Sequence, residues 1–177
     1  MRTAFSLAAV VLLAACDSGE VPRPGQELRG PSRQVAEDEV LLHAEGLVAG
    51  PEAFYFAAGR SEVEAALGKV MGEPLERSEN PECGAGPMQF TEYAGGVIVN
   101  FQKDNLVGWN SSDKFGPSRV EADVQIGMAR AEASEANGFA EVETSTLGDE
   151  FSLGRLGGFF DGDEVVMLYA GAQCFKR

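Results

Sequence analysis

Two stretches of this chain repeat one another, and that repeat limits its possible folds more than any other feature. Phe56 to Gly68 reads FAAGRSEVEAALG and Ile126 to Gly138 reads IGMARAEASEANG, a constant offset of 70. Arg60 matches Arg130, Glu62 matches Glu132, Ala66 matches Ala136 and Gly68 matches Gly138, with apolar Phe54 and Val124 matching just upstream. Later segments keep the same order. Phe90-Thr91 corresponds to Phe151-Ser152, Gly95-Gly96 to Gly157-Gly158, and Trp109 to Tyr169, at an offset of roughly 60. A repeated unit of this size buries its apolar face against its neighbour.

Each copy reads as a short helix followed by three strands. In the first, Ser61 and Glu64 form an S-x-x-E capping pattern, Val63, Ala66 and Leu67 share a helical face, and Gly68 closes the helix. Met88 to Tyr93, Val97 to Phe101 and Leu106 to Trp109 alternate apolar and polar residues around turns at Gly95-Gly96 and Gln102 to Asn105. In the second copy a helix is expected over Met128 to Asn137, stopped by Gly138. Short strands then follow over Val142 to Leu147, Phe151 to Leu153, Gly158 to Phe160 and Val165 to Tyr169. Residues 39–49 (EVLLHAEGLVA) read as one further strand. The expected fold class is therefore α+β: two helix-plus-three-strand repeats forming a two-layer antiparallel sheet with helices on one side. Residues 35–118 hold the first repeat and 119–177 the second.

The N-terminal segment sets the compartment. Arg2 precedes about ten mostly apolar residues, Ala4 to Leu13, too few to span a bilayer that needs roughly 20. Residues 1–15 read as a secretory leader. They end in Leu13-Ala14-Ala15-Cys16, which closely resembles the lipobox of bacterial lipoproteins. That resemblance implies diacylglycerol on the Cys16 thiol and cleavage before it. Lipid methylenes contribute roughly 0.8 kcal/mol each on burial, so two or three chains anchor firmly. In enteric bacteria an Asp after the lipidated cysteine, here Asp17, resembles an inner-membrane retention signal, which favours the inner membrane and leaves the outer open. Residues 16–34 contain three prolines and three glycines between Asp17 and Gln34, with few apolar residues, and read as a flexible tether. The folded part is placed in the cell envelope, facing the periplasm.

Charge narrows the partners. Acidic residues outnumber basic ones 28 to 14. Such a surface repels phosphate, which argues against nucleic acid and anionic head groups. Lipid on Cys16 leaves Cys83 and Cys174 as an even pair in an oxidising compartment, the arithmetic of one disulfide. Closing a loop of about 90 residues stabilises the fold by roughly 4–5 kcal/mol in the chain-entropy model.

Cys83-Gly84-Ala85-Gly86-Pro87, followed by Phe90, Tyr93, Gly96, Phe101 and Val107-Gly108-Trp109, resembles a family of exported bacterial proteins. Their pattern is a helix ending in L-G-x-P, a C-G-A-G-P turn, and strands ending in V-G-W. Leu67-Gly68 departs from it, and Met71-Gly72-Glu73-Pro74 supplies the proline after a small shift. The resemblance covers about residues 39–175 and implies no activity. The repeated helix-plus-strands plan is also similar to the β-lactamase-inhibitor-like fold and to small lipoproteins of outer-membrane assembly, a likeness of architecture alone.

No catalytic constellation emerges. Gly84-Ala85-Gly86-Pro87 ends in proline, not in a helix that could hold phosphate, and reads as a turn. His43 is the one histidine, too few for a multi-His metal site or a nucleophile–His pair. Asp161-Gly162-Asp163-Glu164 reads first as a hairpin, without EF-hand spacing. Ser111, Ser112 and Ser118 lie in a polar loop without a nucleophile elbow. Tyr93, Trp109 and Phe115 are the candidate binding surface, with a core or cross-strand role for Tyr93 and Trp109 as the competing reading. The sequence thus points to a non-enzymatic, membrane-anchored envelope protein without cofactor or metal, binding a protein partner as an adaptor. A hydrolase inhibitor is the first alternative; a carboxylate-dependent enzyme on a small envelope substrate and a ligand- or ion-binding module follow.

Overall fold

The computed structural model describes residues 36–113 and 115–175. The leader, Cys16, Asp17 and the tether lie outside the described residues. Four short strands form one sheet: β1 Val40–His43, β2 Gly46–Ala49, β3 Glu52–Tyr55 and β8 Ser118–Val120, in the order β3-β2-β1-β8. The expected single strand over 39–49 is instead a hairpin. Ala44-Glu45 turn the chain so that Val40 pairs with Ala49 and His43 with Gly46. Gly46 is required there, because a Cβ would sit 2.0 Å from the Phe54 carbonyl oxygen.

The remaining strands build an eight-stranded sheet. They are β4 Glu76–Asn80, β5 Met88–Tyr93, β6 Val97–Gln102, β7 Asn105–Ser111, β9 Phe139–Glu141, β10 Asp149–Leu153, β11 Leu156–Asp161 and β12 Glu164–Gly171. Their order is β4-β5-β6-β7-β12-β11-β10-β9, with every neighbouring pair antiparallel. Strand β4 was not anticipated: Glu-Arg-Ser-Glu-Asn has no apolar alternation, because it is a solvated edge paired only with β5. Charge on an edge strand also discourages pairing with other chains. The strand expected over Val142 to Leu147 falls instead at β9, and 142–148 is loop up to the left-handed Gly148.

Helix α1 spans Arg60–Met71 and buries Val63, Ala66 and Leu67. Its ends differ from expectation. Gly59 is the N-cap and no side chain caps the helix, because Glu64 turns to Arg60, Arg77 and Thr91. Gly68 lies inside the helix, which runs on to Gly72, where φ of 82° and the following Glu73-Pro74 stop it. Helix α2 is one turn, Arg130–Ala133, shorter than the expected ten residues. The Ser134 hydroxyl donates to the Ala131 carbonyl at 2.9 Å, and the segment buries only Ala133. Among the described residues no helix is long and apolar enough to cross a membrane.

One hydrophobic cluster draws on both sheets and both helices, including Leu42, Leu47, Leu67, Val99, Trp109 and Leu168. Trp109 is fully buried, and its indole N–H donates to the His43 carbonyl at 2.9 Å, tying β7 to β1. Burying a side chain of this size contributes roughly 2–3 kcal/mol. Both helices contact the same face of the large sheet. Arg60 lies 5.2 Å from the Phe101 ring centroid and Arg130 lies 4.2 Å from that of Phe160. Strand alternation sends Phe101, Trp109, Leu168 and Phe160 to this face, and Phe90, Ile98, Tyr169 and Phe159 to the opposite one.

Candidate functional site

That opposite face is the candidate site. No described helix contacts it, and alternation places Glu76, Glu92, Ile98, Asn110 and Tyr169 along one row across the strands. Phe90, Ile98, Met167, Phe159 and Tyr169 are half-buried there. Each alternates with an inward-facing neighbour on its own strand, so the pleat turns it away from the core.

A C-terminal strap, residues 172–175, crosses part of this face. The Ala172 N–H donates to the Val107 carbonyl at 2.8 Å, and the Asn100 amide donates to the Ala172 carbonyl at 2.9 Å and to Gln173 Oε1 at 3.0 Å. Gln173 Nε2 donates in turn to the carbonyls of Trp109 and Ala170. The strap can lie this close only because position 108 is glycine: a Cβ there would sit 2.4 Å from the Ala172 carbonyl oxygen. Gly171 turns the chain with φ of 71°, and a Cβ would meet the Val107 oxygen at 2.2 Å. The strap ends against aromatic rings. Phe175 meets Tyr169 and Phe159 edge-on, with centroids 5.1 and 5.2 Å apart.

Cys83 and Cys174 stand at disulfide distance, with Cα atoms 5.5 Å apart. The pair fastens the strap to the turn before β5. Gly84-Ala85-Gly86-Pro87 forms that turn, with the Gly86 N–H bonded to the Cys83 carbonyl and Gln102 Nε2 donating to the carbonyls of Ala85 and Gly86. A strand follows it, not a helix.

Beside the strap is a hollow of about 840 Å³ lined by Cys83, Leu147, Glu150, Tyr169, Gln173 and Phe175. The Tyr169 hydroxyl donates to Glu150 Oε1 at 2.6 Å and Ser145 Oγ to Oε2 at 2.5 Å, so both carboxylate oxygens accept bonds. A second hollow, about 1020 Å³, lies at the strand ends and is lined by Phe56, Pro81, Pro87, Met88, Leu106 and Val107.

The expected aromatic patch is not assembled. Tyr93 and Trp109 are 0% exposed, on the core face of β5 and β7, while Phe115 is 85% exposed in the loop before β8. Large rings on central strands bury far more area inward than a solvent-facing patch would. The Tyr93 hydroxyl has no hydrogen-bond partner among the described residues, and burial, with Glu64 adding to it, pushes its pKa up to about 12.

The strongest charge cluster lies on the helix-bearing face. Glu64 accepts from Arg60 at 2.8 Å, Thr91 at 2.6 Å and Arg77 at 3.0 Å. Burial opposes its charge, yet bonds from Thr91, Arg77 and Arg60 prevail and hold its pKa below the usual carboxylate value. That direction suits an ion-pair anchor and is the reverse of what a general acid needs. His43 lies at the end of β1, where its Nδ1 accepts the Glu45 N–H at 3.3 Å and its ring meets Tyr55 edge-on. Desolvation lowers its pKa, against the pull of Glu121 and Glu45. Asp161 and Glu164 pair across a hairpin in which Gly162 has φ of 58°, and the Gly162 and Asp163 carbonyls accept bonds from Arg130. Ser111 is buried in β7, Ser112 Oγ donates to the Gly96 carbonyl, and Ser118 begins β8.

Compared with protein-family models, curated proteins and solved structures, the chain matches none.

Sequence reasoning missed Asn100, Asn110 and Gln173, the amides that hold the strap. Asn100 and Asn110 interrupt otherwise apolar strands, and that interruption was the available signal.

Proposed function

We propose that this chain is a lipid-anchored lipoprotein of the cell envelope, without catalytic activity, that holds a protein partner against the open face of its eight-stranded sheet. The leader and Cys16 supply the anchor, the tether gives reach, and the acidic surface keeps the folded part away from anionic head groups. One observation carries the binding role: Phe90, Ile98, Met167 and Phe159 are half-exposed on a sheet face that no described helix contacts. Apolar side chains grouped on a polar-rimmed surface mark interaction sites.

The proposed architecture is two layers built by duplication. Several bonds recur in support. Arg60 N–H donates to the Asp104 carbonyl as Arg130 N–H does to Asp163, and Leu106 N–H to Ala58 as Val165 N–H to Met128. Ala57 and Gly127, 70 residues apart, both have left-handed φ, 82° and 86°. Register shifts fall at Asn100/Phe101 and at Phe159/Phe160, 59 residues apart. On this reading each unit is a helix and four strands, and the strand offset is 59, so Trp109 corresponds to Leu168 in place of Tyr169.

A photo-crosslinking amino acid at Ile98, in the lipidated protein in its own membranes, tests the role. A discrete adduct formed from Ile98 and absent from the α1 surface position Glu62 is expected. Equal labelling from both positions, or none from Ile98, contradicts the proposal.

A further inference from the structure

One part of the open face sets two like charges against each other, and this suggests the chemistry of what binds it. Glu76 and Glu92 stand directly opposite one another across β4 and β5, on the face that carries Phe90 and Ile98. Like charges facing across a ladder destabilise it. Neither carboxylate meets a cation among the described residues. Among the described residues, Arg60, Lys69, Arg77, Arg119, Arg130 and Arg155 are each in an ion pair made elsewhere, through α1, α2, β10 or the smaller sheet and its turns. Along the same row the next residues are Ile98 and Asn110, so the acids adjoin an apolar step and then an amide.

We propose that this row is a docking surface for a cationic protein segment, which sets lysine or arginine against Glu76 and Glu92 and lays aliphatic or aromatic side chains on Ile98 and Phe90. The inference rests on the docking role proposed above and adds the partner's charge. The like-charged pair is relieved when a cation lies between its members, so free energy spent in the unbound sheet is recovered in the complex. The chain's formal net charge of −14 steers such a partner toward the surface from a distance and repels acidic ones.

The test uses the lipidated protein in detergent micelles and two fluorescent peptides, one alternating lysine with leucine and tryptophan, the other identical with glutamate for lysine. Anisotropy titrations should show binding of the lysine peptide only, weakening as salt rises. The double variant Glu76→Gln with Glu92→Gln should bind it about tenfold more weakly, and Glu62→Gln, an acid on α1, should bind it as the parent does. No binding of the lysine peptide, or equal affinity in the Glu76/Glu92 variant, overturns the inference. The two readings separate cleanly in membranes: an Ile98 crosslink whose yield is unchanged in the Glu76/Glu92 variant leaves the docking role standing and removes the cationic partner.

Discussion

Asn110 faces Tyr169 across the β7–β12 ladder, and the pairs on either side mirror one another, Trp109 with Ala170 and Ser111 with Leu168. Shifting by 59 residues carries each of these pairs onto the other. The seam is therefore the centre of the sheet, with β6, β5 and β4 stepping outward on one side and β11, β10 and β9 on the other. Its two faces differ in kind. Trp109 and Leu168 close the core, while Asn110 and Tyr169 occupy the open side beside the strap.

The strap depends on the cysteine pair. Replacing Cys83 and Cys174 together by serine removes a link across 91 residues and should cost about 4–5 kcal/mol of unfolding free energy. Urea unfolding of the oxidised parent and the double variant measures it. A difference below about 1 kcal/mol would mean that the strap's hydrogen bonds alone hold the C-terminus.

Tyr93 buries a hydroxyl with no partner among the described residues. An unpartnered buried hydroxyl costs about 1–3 kcal/mol, so Tyr93→Phe should leave stability unchanged or raise it by about 1 kcal/mol. The raised phenol also has a signed pH effect. Below the ordinary value of 10.0 it is neutral in both states; between that and about 12 the unfolded chain ionises first, so stability falls as pH rises. Thermal melts of the parent and Tyr93→Phe across that window should diverge, with the variant the less sensitive.

Glu64 acts in the opposite direction. Its pKa is depressed in the fold, so its contribution is present above the ordinary value of 4.5 and is lost as pH falls through the folded value. Glu64→Gln should flatten that acid limb. At neutral pH it should cost about 2 kcal/mol, because Arg60 and Arg77 lose their shared acceptor. Acid titrations followed by circular dichroism check both effects, and an unchanged acid limb would contradict the assignment.

Gly157 and Gly158 are covered by rings on opposite faces of β11. A Cβ at Gly157 would sit 2.1 Å from Tyr169 Cζ, and one at Gly158 would sit 2.3 Å from Phe151 Cζ. Aromatic rings cannot bend away as aliphatic ends do. Either glycine replaced by alanine should destabilise by about 1–3 kcal/mol, read as a lowered melting temperature. Parent-like melting in both variants would mean that the rings move freely.

These two glycines also show where the sequence stops being legible. Gly157-Gly158 aligns in sequence with the Gly95-Gly96 turn, and the strand expected from Gly158 starts earlier in the structure, at Leu156, with both glycines under aromatic lids; only register tells the two uses of a glycine pair apart. Helix α1, the central strands and the cysteine pair were legible because apolar spacing, turn residues and cysteine parity each carry a local signal. The polar edge β4 had none, being charged because it is an edge; nothing marked how early α2 ends, and the strap left only the interrupting amides Asn100 and Asn110, with the partner Gln173 lying 73 residues from Asn100. For the candidate site, aromatic identity pointed to Tyr93 and Trp109, whereas facing decides exposure and selects Phe90 and Ile98.

The proposed envelope role stands on the Cys16 thiol, since lipid there would fix the compartment, leave Cys83 and Cys174 to pair, and bring the open sheet face to a partner. Labelling growing cells with palmitate and fractionating the membranes tests it most directly. The parent should carry label and sediment with membranes, and Cys16→Ser should do neither. A Cys16→Ser protein that still takes up label and sediments with membranes would contradict the account.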